Sequence, residues 1–195
     1  MSVRTEIYLV RHGHAVWTLD EMRPLSAQGH RDAHAVADCL GGLGPQAIYS
    51  SPYSRARQTI EPLATRLSLP IHEVWDLRER QLSSGAVANF HEAVQATWGD
   101  FGFAHPGGET NREAQRRSAA VCRELVTREA GRRLVVSTHG SLLALLLNAF
   151  DAKVSFEFWT RISVPDVYVL AMGSRDDEFT IRRIWQPAVQ ASYRN

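Results

Sequence analysis

Apolar runs containing β-branched residues recur along the chain, and most are followed by stretches whose apolar residues return every three or four positions. The first pattern predicts buried strands and the second predicts amphipathic helices. Ile7 to Val10 is the first run, and it ends abruptly in Arg11, His12 and Gly13. After a loop over 15–25, Ser26 is placed as a helix N-cap, with Ala33, Val36, Ala37 and Leu40 at helical spacing and Gly41-Gly42 as the stop. Ala47 to Tyr49 predicts a second strand running into Ser50-Ser51-Pro52. The next helix carries Arg55, Ile60, Leu63, Ala64 and Leu67, and Pro62 is expected to kink or split it. Ile71 to Trp75 predicts a third strand, with Glu79 just past its end.

The middle of the chain is less regular. Residues 86–98 fit a helix, and 99–108, rich in glycine and aromatics, fit an irregular cap over the sheet edge. Thr110-Asn111-Arg112-Glu113 matches a capping box and opens a helix with Ala114, Val121, Leu125 and Val126 on one face, closed by Gly131. Leu134 to Ser137 predicts a buried strand with Thr138-His139-Gly140-Ser141 at its end, followed by a leucine-rich helix to about residue 150. Val167 to Met172 and Phe179 to Trp185 predict a last strand pair at the sheet edge. Strands alternating with helices predict a three-layer α/β/α fold with a mostly parallel central sheet. We expect a single domain over 1–195, with a small cap segment near 80–108.

Composition sets boundaries. At 195 residues the chain can bury a sizeable core, and its 44% hydrophobic and 22% charged residues are ordinary for a globular protein. A net charge of +1 suggests neither a nucleic-acid patch nor a membrane-attracting surface, so neither partner is expected. Met1 to Glu6 carries no apolar signal region and no run is long enough to span a bilayer, which makes the cytoplasm the expected location. Cys39 and Cys122 fall on apolar helix stripes, predicting buried free thiols. The oligomeric state stays open, with a homodimer among the options.

Chemistry-bearing residues gather at the predicted strand ends. One strand ends in Arg11-His12-Gly13 and another in His139-Gly140, while Arg55 follows a third and Glu79 a fourth. In open α/β sheets ligands sit just beyond the carboxyl ends of strands. Each residue also has a plainer reading: Arg55 as a helix-surface arginine, Glu79 as part of a solvated cluster with Arg78 and Arg80, and His139 as a capping or core histidine. Trp98, Phe101 and Phe103 fit either a pocket lining or cap-core packing, with packing favoured. His14, His30 and His34 raise the question of a metal, but no carboxylate or cysteine joins them at ligand spacing, so no metal or other cofactor is expected.

Leu9-Val10-Arg11-His12-Gly13, Ser50-Ser51-Pro52 to Arg55-Ala56, Glu79 after a strand, and Ser137-Thr138-His139-Gly140 together resemble the histidine phosphatase superfamily, the phosphoglycerate-mutase-like group. The resemblance runs from about residue 7 to about residue 172. It implies a phosphoglycerate-mutase-like fold and a metal-free phosphatase acting on a small phosphorylated substrate. It also implies His12 as the nucleophile, Arg11, Arg55 and His139 as phosphate ligands, and Glu79 as the proton carrier. The residue types suit these tasks: arginines are permanent planar donors to phosphate oxygens, and positive charge beside a histidine keeps it neutral enough to attack.

This sequence departs from the family pattern in places. Thr18 stands where many members place a phosphate-binding asparagine, and Gly140 belongs to the expected substrate-binding set. His14 and Ala15 replace a more usual pair. Gln81-Leu82-Ser83-Ser84-Gly85 replaces a glycine–aromatic–acidic–glycine pattern after Glu79, whereas Pro106-Gly107-Gly108-Glu109-Thr110 keeps a family motif. A phosphomonoesterase is the favoured reading, because the 80–108 segment is short for a mutase cap. The alternatives are phosphoglycerate-mutase-type transfer, a protein phosphohistidine phosphatase (suggested by Arg23-Pro24-Leu25-Ser26), and a weakly active regulator that binds phosphorylated ligands.

Overall fold

The structure is a computed structural model and describes residues 4–18, 20–173 and 178–186. Residues 1–3 of the N-terminal segment and 187–195 of the expected domain lie outside the described residues. The strands are β1 (Thr5–Arg11), β2 (Ala47–Ser50), β3 (Ile71–Glu73), β4 (Arg133–Thr138), β5 (Asp166–Met172) and β6 (Phe179–Arg183). The helices are α1 (Ala27–Gly41), α2 (Ser54–Leu67), α3 (Phe90–Gly99), α4 (Asn111–Arg128), α5 (Gly140–Asn148) and α6 (Phe156–Arg161). The strands form one sheet in the order β3-β2-β4-β1-β5-β6. β1, β2, β3 and β4 run parallel, β5 pairs antiparallel with β1, and β6 pairs antiparallel with β5 at the edge.

Alternation along the strands feeds two cores. Ile7 and Leu9 of β1, with Leu134 and Val136 of β4, face a cluster built with Leu143, Leu146 and Leu147 of α5 and Cys122 and Leu125 of α4. Tyr8, Val10 and Val135 face the other side, where Val36, Ala37 and Leu40 of α1 meet Ile60 and Leu63 of α2. A strand covered on both faces reads as an unbroken apolar run, which is why the β1 and β4 segments do so. Ser26 caps α1 by accepting from the Gly29 N–H, and the Thr110–Glu113 capping box opens α4.

Several details differ from the sequence expectations. Pro62 lies inside α2, yet the helix runs unbroken, because Ile60, Leu63 and Ala64 are buried and packing outweighs the lost backbone hydrogen bond. β3 stops at Glu73, and Trp75–Leu77 forms a 3₁₀ turn that buries Leu77 while leaving Trp75 exposed. α3 starts at Phe90 because the Asn89 side chain accepts from the His91 and Glu92 N–H groups. The short helix α6 had no clear periodic signal. Cys122 is buried, its Sγ 3.7 Å from Met172 Sδ, but Cys39 is only half-buried, and neither is in a disulfide. Trp98 and Phe101 meet edge to face at 5.4 Å and pack on the core, as the packing reading had it, while Phe103 is exposed. No described helix is long and apolar enough to cross a membrane.

Candidate active site

The carboxyl ends of β1, β4 and β2 lie side by side, so the residues that follow each strand are neighbours. The register pairs Arg11 with Thr138 and Ser50 with Ser137. It extends past the strand ends through His12 N–H to Thr138 O (3.1 Å) and Ser51 N–H to Ser137 O (2.9 Å). Topology therefore brings together His12, Ser51 and His139 from segments far apart in sequence. Rings of His12 and His139 meet edge to face with centroids 5.2 Å apart.

The tautomer of His12 follows from its contacts. Nδ1 lies 2.7 Å from Gly13 O, an atom that only accepts, so Nδ1 carries the proton. Nε2 then presents a lone pair, which receives the Nε–H of Arg55 at 3.1 Å. Burial, with the positive charges of Arg55 and Arg11, pulls the His12 pKa down to about 3. The ring is therefore neutral throughout the physiological range. Gly13 N–H donates to Thr59 Oγ1 (3.0 Å), and that hydroxyl donates to Arg55 O (2.7 Å), so α2 braces the end of β1.

His139 is fully buried, and burial followed by the Arg55 charge holds its pKa well below 6.5. Its Nε2 lies 2.7 Å from Ser51 Oγ, while Nδ1 has no protein partner. Arg55, 2% exposed, also donates to Glu21 O (2.5 Å) and lies over the Tyr53 ring, whose hydroxyl donates to Glu21 Oε2 (2.6 Å). Burial lowers the Arg55 pKa to about 10, which leaves it charged at neutral pH. Arg11 donates from Nη1 to Ile162 O (2.7 Å), and its buried Nε lacks a partner. Gly140 opens α5 directly beneath this guanidinium: a Cβ there would lie 2.9 Å from Arg11 Cζ.

Glu79 sits on the N-terminus of α5. Its carboxylate accepts from Leu142 N–H (3.0 Å), Ser141 N–H (3.2 Å) and Arg80 N–H (2.9 Å), the ordinary place for an anion at a helix start. The solvated-cluster reading fails, because Glu79 is half-buried and Arg80 only 4% exposed, with two guanidinium nitrogens unpartnered. Thr18, by contrast, does not join the cluster. It is exposed, and its hydroxyl is directed at Asp20 O, 3.5 Å away. Tyr53, Glu21 and Thr59 carry no signal in the sequence as parts of the site, and Ser51 is noted only within its motif, since only the fold reveals that they meet. Arg23, noted only within its motif, also adds its charge to those acting on His12, Arg55 and His139. His14 bonds Ser26 Oγ (2.8 Å), His30 and His34 are exposed on α1, and no group of three possible metal ligands occurs among the described residues.

Arg55, buried, and Arg11, half-buried, stand beside a neutral imidazole at the ends of parallel strands, which makes the cluster a candidate anion site, and the comparisons give the family. The model of the histidine phosphatase superfamily (branch 1) matches residues 7–186, and the chain belongs to that superfamily. A probable phosphoglycerate mutase GpmB of Yersinia enterocolitica is 30% identical over 159 residues, 73% of each chain. The mycobacterial glucosyl-3-phosphoglycerate phosphatase superposes with a TM-score of 0.75 at 26% identity, over 92% of this chain and 97% of that one. A phosphoglycerate mutase of Bacillus anthracis, at 16% identity and a TM-score of 0.73 over 93% of each chain, shares the fold. The chain is a phosphatase of the histidine class.

The neutral His12 links this site to stability. An unfolded histidine titrates near 6.5, so between about pH 3 and 6.5 the unfolded state binds a proton that folded His12 refuses. Stability therefore falls as pH drops below about 6.5, by about 1.4 kcal/mol per pH unit for this one group. Replacing it, His12→Asn, should flatten the stability curve between pH 6 and 4.5 by that slope in denaturant titrations. An unchanged slope would show that His12 charges in the folded state. Gly140→Ala should displace Arg11 and cut kcat/KM by about 10²-fold while the protein stays folded by circular dichroism. Wild-type turnover in that variant would mean the close approach of Gly140 to Arg11 has no role.

Proposed function

We propose that the protein is a phosphomonoesterase that hydrolyses a small phosphorylated metabolite through a covalent phosphohistidine on His12, without a metal. The observation that carries this is the neutral His12 with its proton fixed on Nδ1 and its Nε2 lone pair turned to Arg55. A phosphate dianion arriving there takes over the Arg55 donors and meets the Arg11 guanidinium, whose charges stabilise the oxygens in transfer. His139 serves as a neutral donor. With the Ser51 hydroxyl donating to Nε2, the ring proton sits on Nδ1, the buried atom that lacks a protein partner and is free for a phosphate oxygen.

In the first step the Nε2 lone pair attacks phosphorus and the bond from phosphorus to the ester oxygen breaks, while Glu79, entering as the carboxylic acid, gives that oxygen its proton and is left as the carboxylate held by the N-terminus of α5. In the second, the Glu79 carboxylate takes a proton from water as the water oxygen attacks phosphorus. The bond from phosphorus to His12 breaks and its electron pair returns to Nε2. The sum is ester plus water giving alcohol plus inorganic phosphate. A second reading, delivery of the phosphoryl group to another hydroxyl, rests on the likeness to the probable mutase GpmB. The short segment between Glu79 and Gly108, one helix and a loop, favours water as acceptor.

Rapid quenching of a reaction with a phosphorus-labelled ester, in excess chelator, should leave label on the wild-type chain. That label should be acid-labile, absent in His12→Ala, and released as inorganic phosphate on further incubation. Acid-stable label, label retained in His12→Ala, or labelling lost in chelator and restored by zinc or magnesium would contradict the scheme. Release only onto an added phosphoglycerate would favour the mutase reading.

A further inference from the structure

The segment that carries Glu79 has no sheet to hold it. β3 ends at Glu73, and after the short turn at Trp75–Leu77 the chain runs irregularly through Gln81. Leu77 is anchored, its carbonyl accepting from Thr138 Oγ1 (2.8 Å) and its side chain buried. On either side of it, three backbone carbonyls converge on one side chain, Arg117 of α4. Nη1 donates to Asp76 O (2.5 Å) and Arg78 O (3.0 Å), and Nη2 donates to Glu79 O (3.4 Å). The remaining edge of the guanidinium forms a fork with Glu109, Nε to Oε1 at 2.7 Å and Nη2 to Oε2 at 2.8 Å. A guanidinium has five N–H groups in a rigid plane, and here every one has a protein acceptor. The pair is well shielded, with side-chain exposures of 10% for Arg117 and 16% for Glu109. Glu109 is itself tied to the segment, since its N–H donates to Gln81 O (2.8 Å).

We propose that Arg117, oriented by Glu109, is a positioning residue that sets the depth and angle at which Glu79 meets the substrate's leaving oxygen. This rests on the reading of Glu79 as the proton carrier. The clamp holds main-chain atoms on either side of the Glu79 Cα, and the N-terminus of α5 holds its carboxylate. The side chain therefore has both ends fixed. Proton transfer needs hydrogen-bond reach to the leaving oxygen, and a displacement of about 1 Å costs about 10²-fold in rate. Lysine cannot replace the fork: an ammonium is a single point with three donors and cannot span three carbonyls and a carboxylate. Arg117 makes its hydrogen bonds to Asp76, Arg78, Glu79 and Glu109 and none to Arg11, Arg55 or His139, so the anion site keeps its shape without it, and Arg117→Lys also keeps the positive charge that Arg117 adds near His139.

The test compares Arg117→Lys and Arg117→Gln with Glu79→Gln and the double variant Glu79→Gln/Arg117→Lys. Single-turnover phosphorylation is measured on an alkyl phosphate, whose leaving oxygen needs a proton, and on p-nitrophenyl phosphate, whose oxygen leaves without one. The readout is the ratio of the two rates within one preparation, which does not depend on how much of a variant is folded. We expect each Arg117 variant to lose about 10- to 100-fold on the alkyl ester and less than about 3-fold on the nitrophenyl ester. We expect the double variant to show the same ratio as Glu79→Gln alone, the non-additivity of groups acting through one another. Competitive inhibition by vanadate should stay within about 3-fold of wild type in the Arg117 variants, as Arg11, Arg55 and His139 are untouched. Equal losses on both esters, a further fall of the ratio in the double variant, or a large loss of vanadate affinity would overturn the clamp while leaving Glu79 as the acid. If Glu79→Gln itself leaves the ratio unchanged, the reading of Glu79 fails and the clamp falls with it.

Discussion

The site depends on one hydrogen bond, from His12 Nδ1 to the carbonyl of the next residue. It fixes the ring proton on the side away from Arg55, and so leaves the lone pair on the side toward it. A charged ring would keep the Nδ1 donation but lose the lone pair on Nε2. Burial and the adjoining guanidinium groups disfavour the imidazolium, so His12 is already unprotonated in the free protein, as the proposed nucleophilic role requires. The same cations that keep His12 neutral are those a phosphate dianion needs. In the proposed mechanism one arrangement thus serves two requirements, an unprotonated nucleophile before the substrate binds and a counter-charge once it has.

That arrangement carries a cost in the free protein. Arg11 Nε, two nitrogens of Arg80 and His139 Nδ1 are buried without protein partners, and each such group lowers stability by about 1–3 kcal/mol relative to a satisfied one. The surrounding fold makes up for it by rigid support: a sheet covered on both faces, α2 bracing β1 through Thr59, and Glu21 tying Arg55 and Tyr53 to the 15–25 loop. Unsatisfied cationic donors at the end of parallel strands are what a site for an anion looks like when its binding groups are held in place in advance.

Much of this was legible in the sequence, for reasons that are local. The apolar runs of β1 and β4 are unbroken because both faces are covered, and Ser26 and Thr110 cap their helices by contacts within three residues. Arg11, His12, Arg55, Glu79 and His139 stood out because each follows a strand. What escaped is long-range or exposed. Ser51 faces His139 only because β2 and β4 are adjacent, and Arg117 meets Glu79 only because α4 packs beside the turn after β3. Arg80 reads as part of a solvated cluster with Arg78 and Glu79, yet it is buried, and no pattern in a run of polar residues says which one turns inward. Thr18 was placed by resemblance, and the 15–25 loop turns it to solvent. β3 ran short because edge strands lack the two-sided burial that makes a run readable.

The central claim is that His12 is neutral with its proton on Nδ1 in the free enzyme. Nitrogen-15 correlation spectra of histidine-labelled protein, assigned by comparison with His12→Asn, measure this directly across pH 5 to 8. The account predicts one protonated and one bare ring nitrogen for His12, with Nε2 bare and no titration over that range. An imidazolium signal at pH 5.5, or a proton found on Nε2 at pH 7, would contradict it.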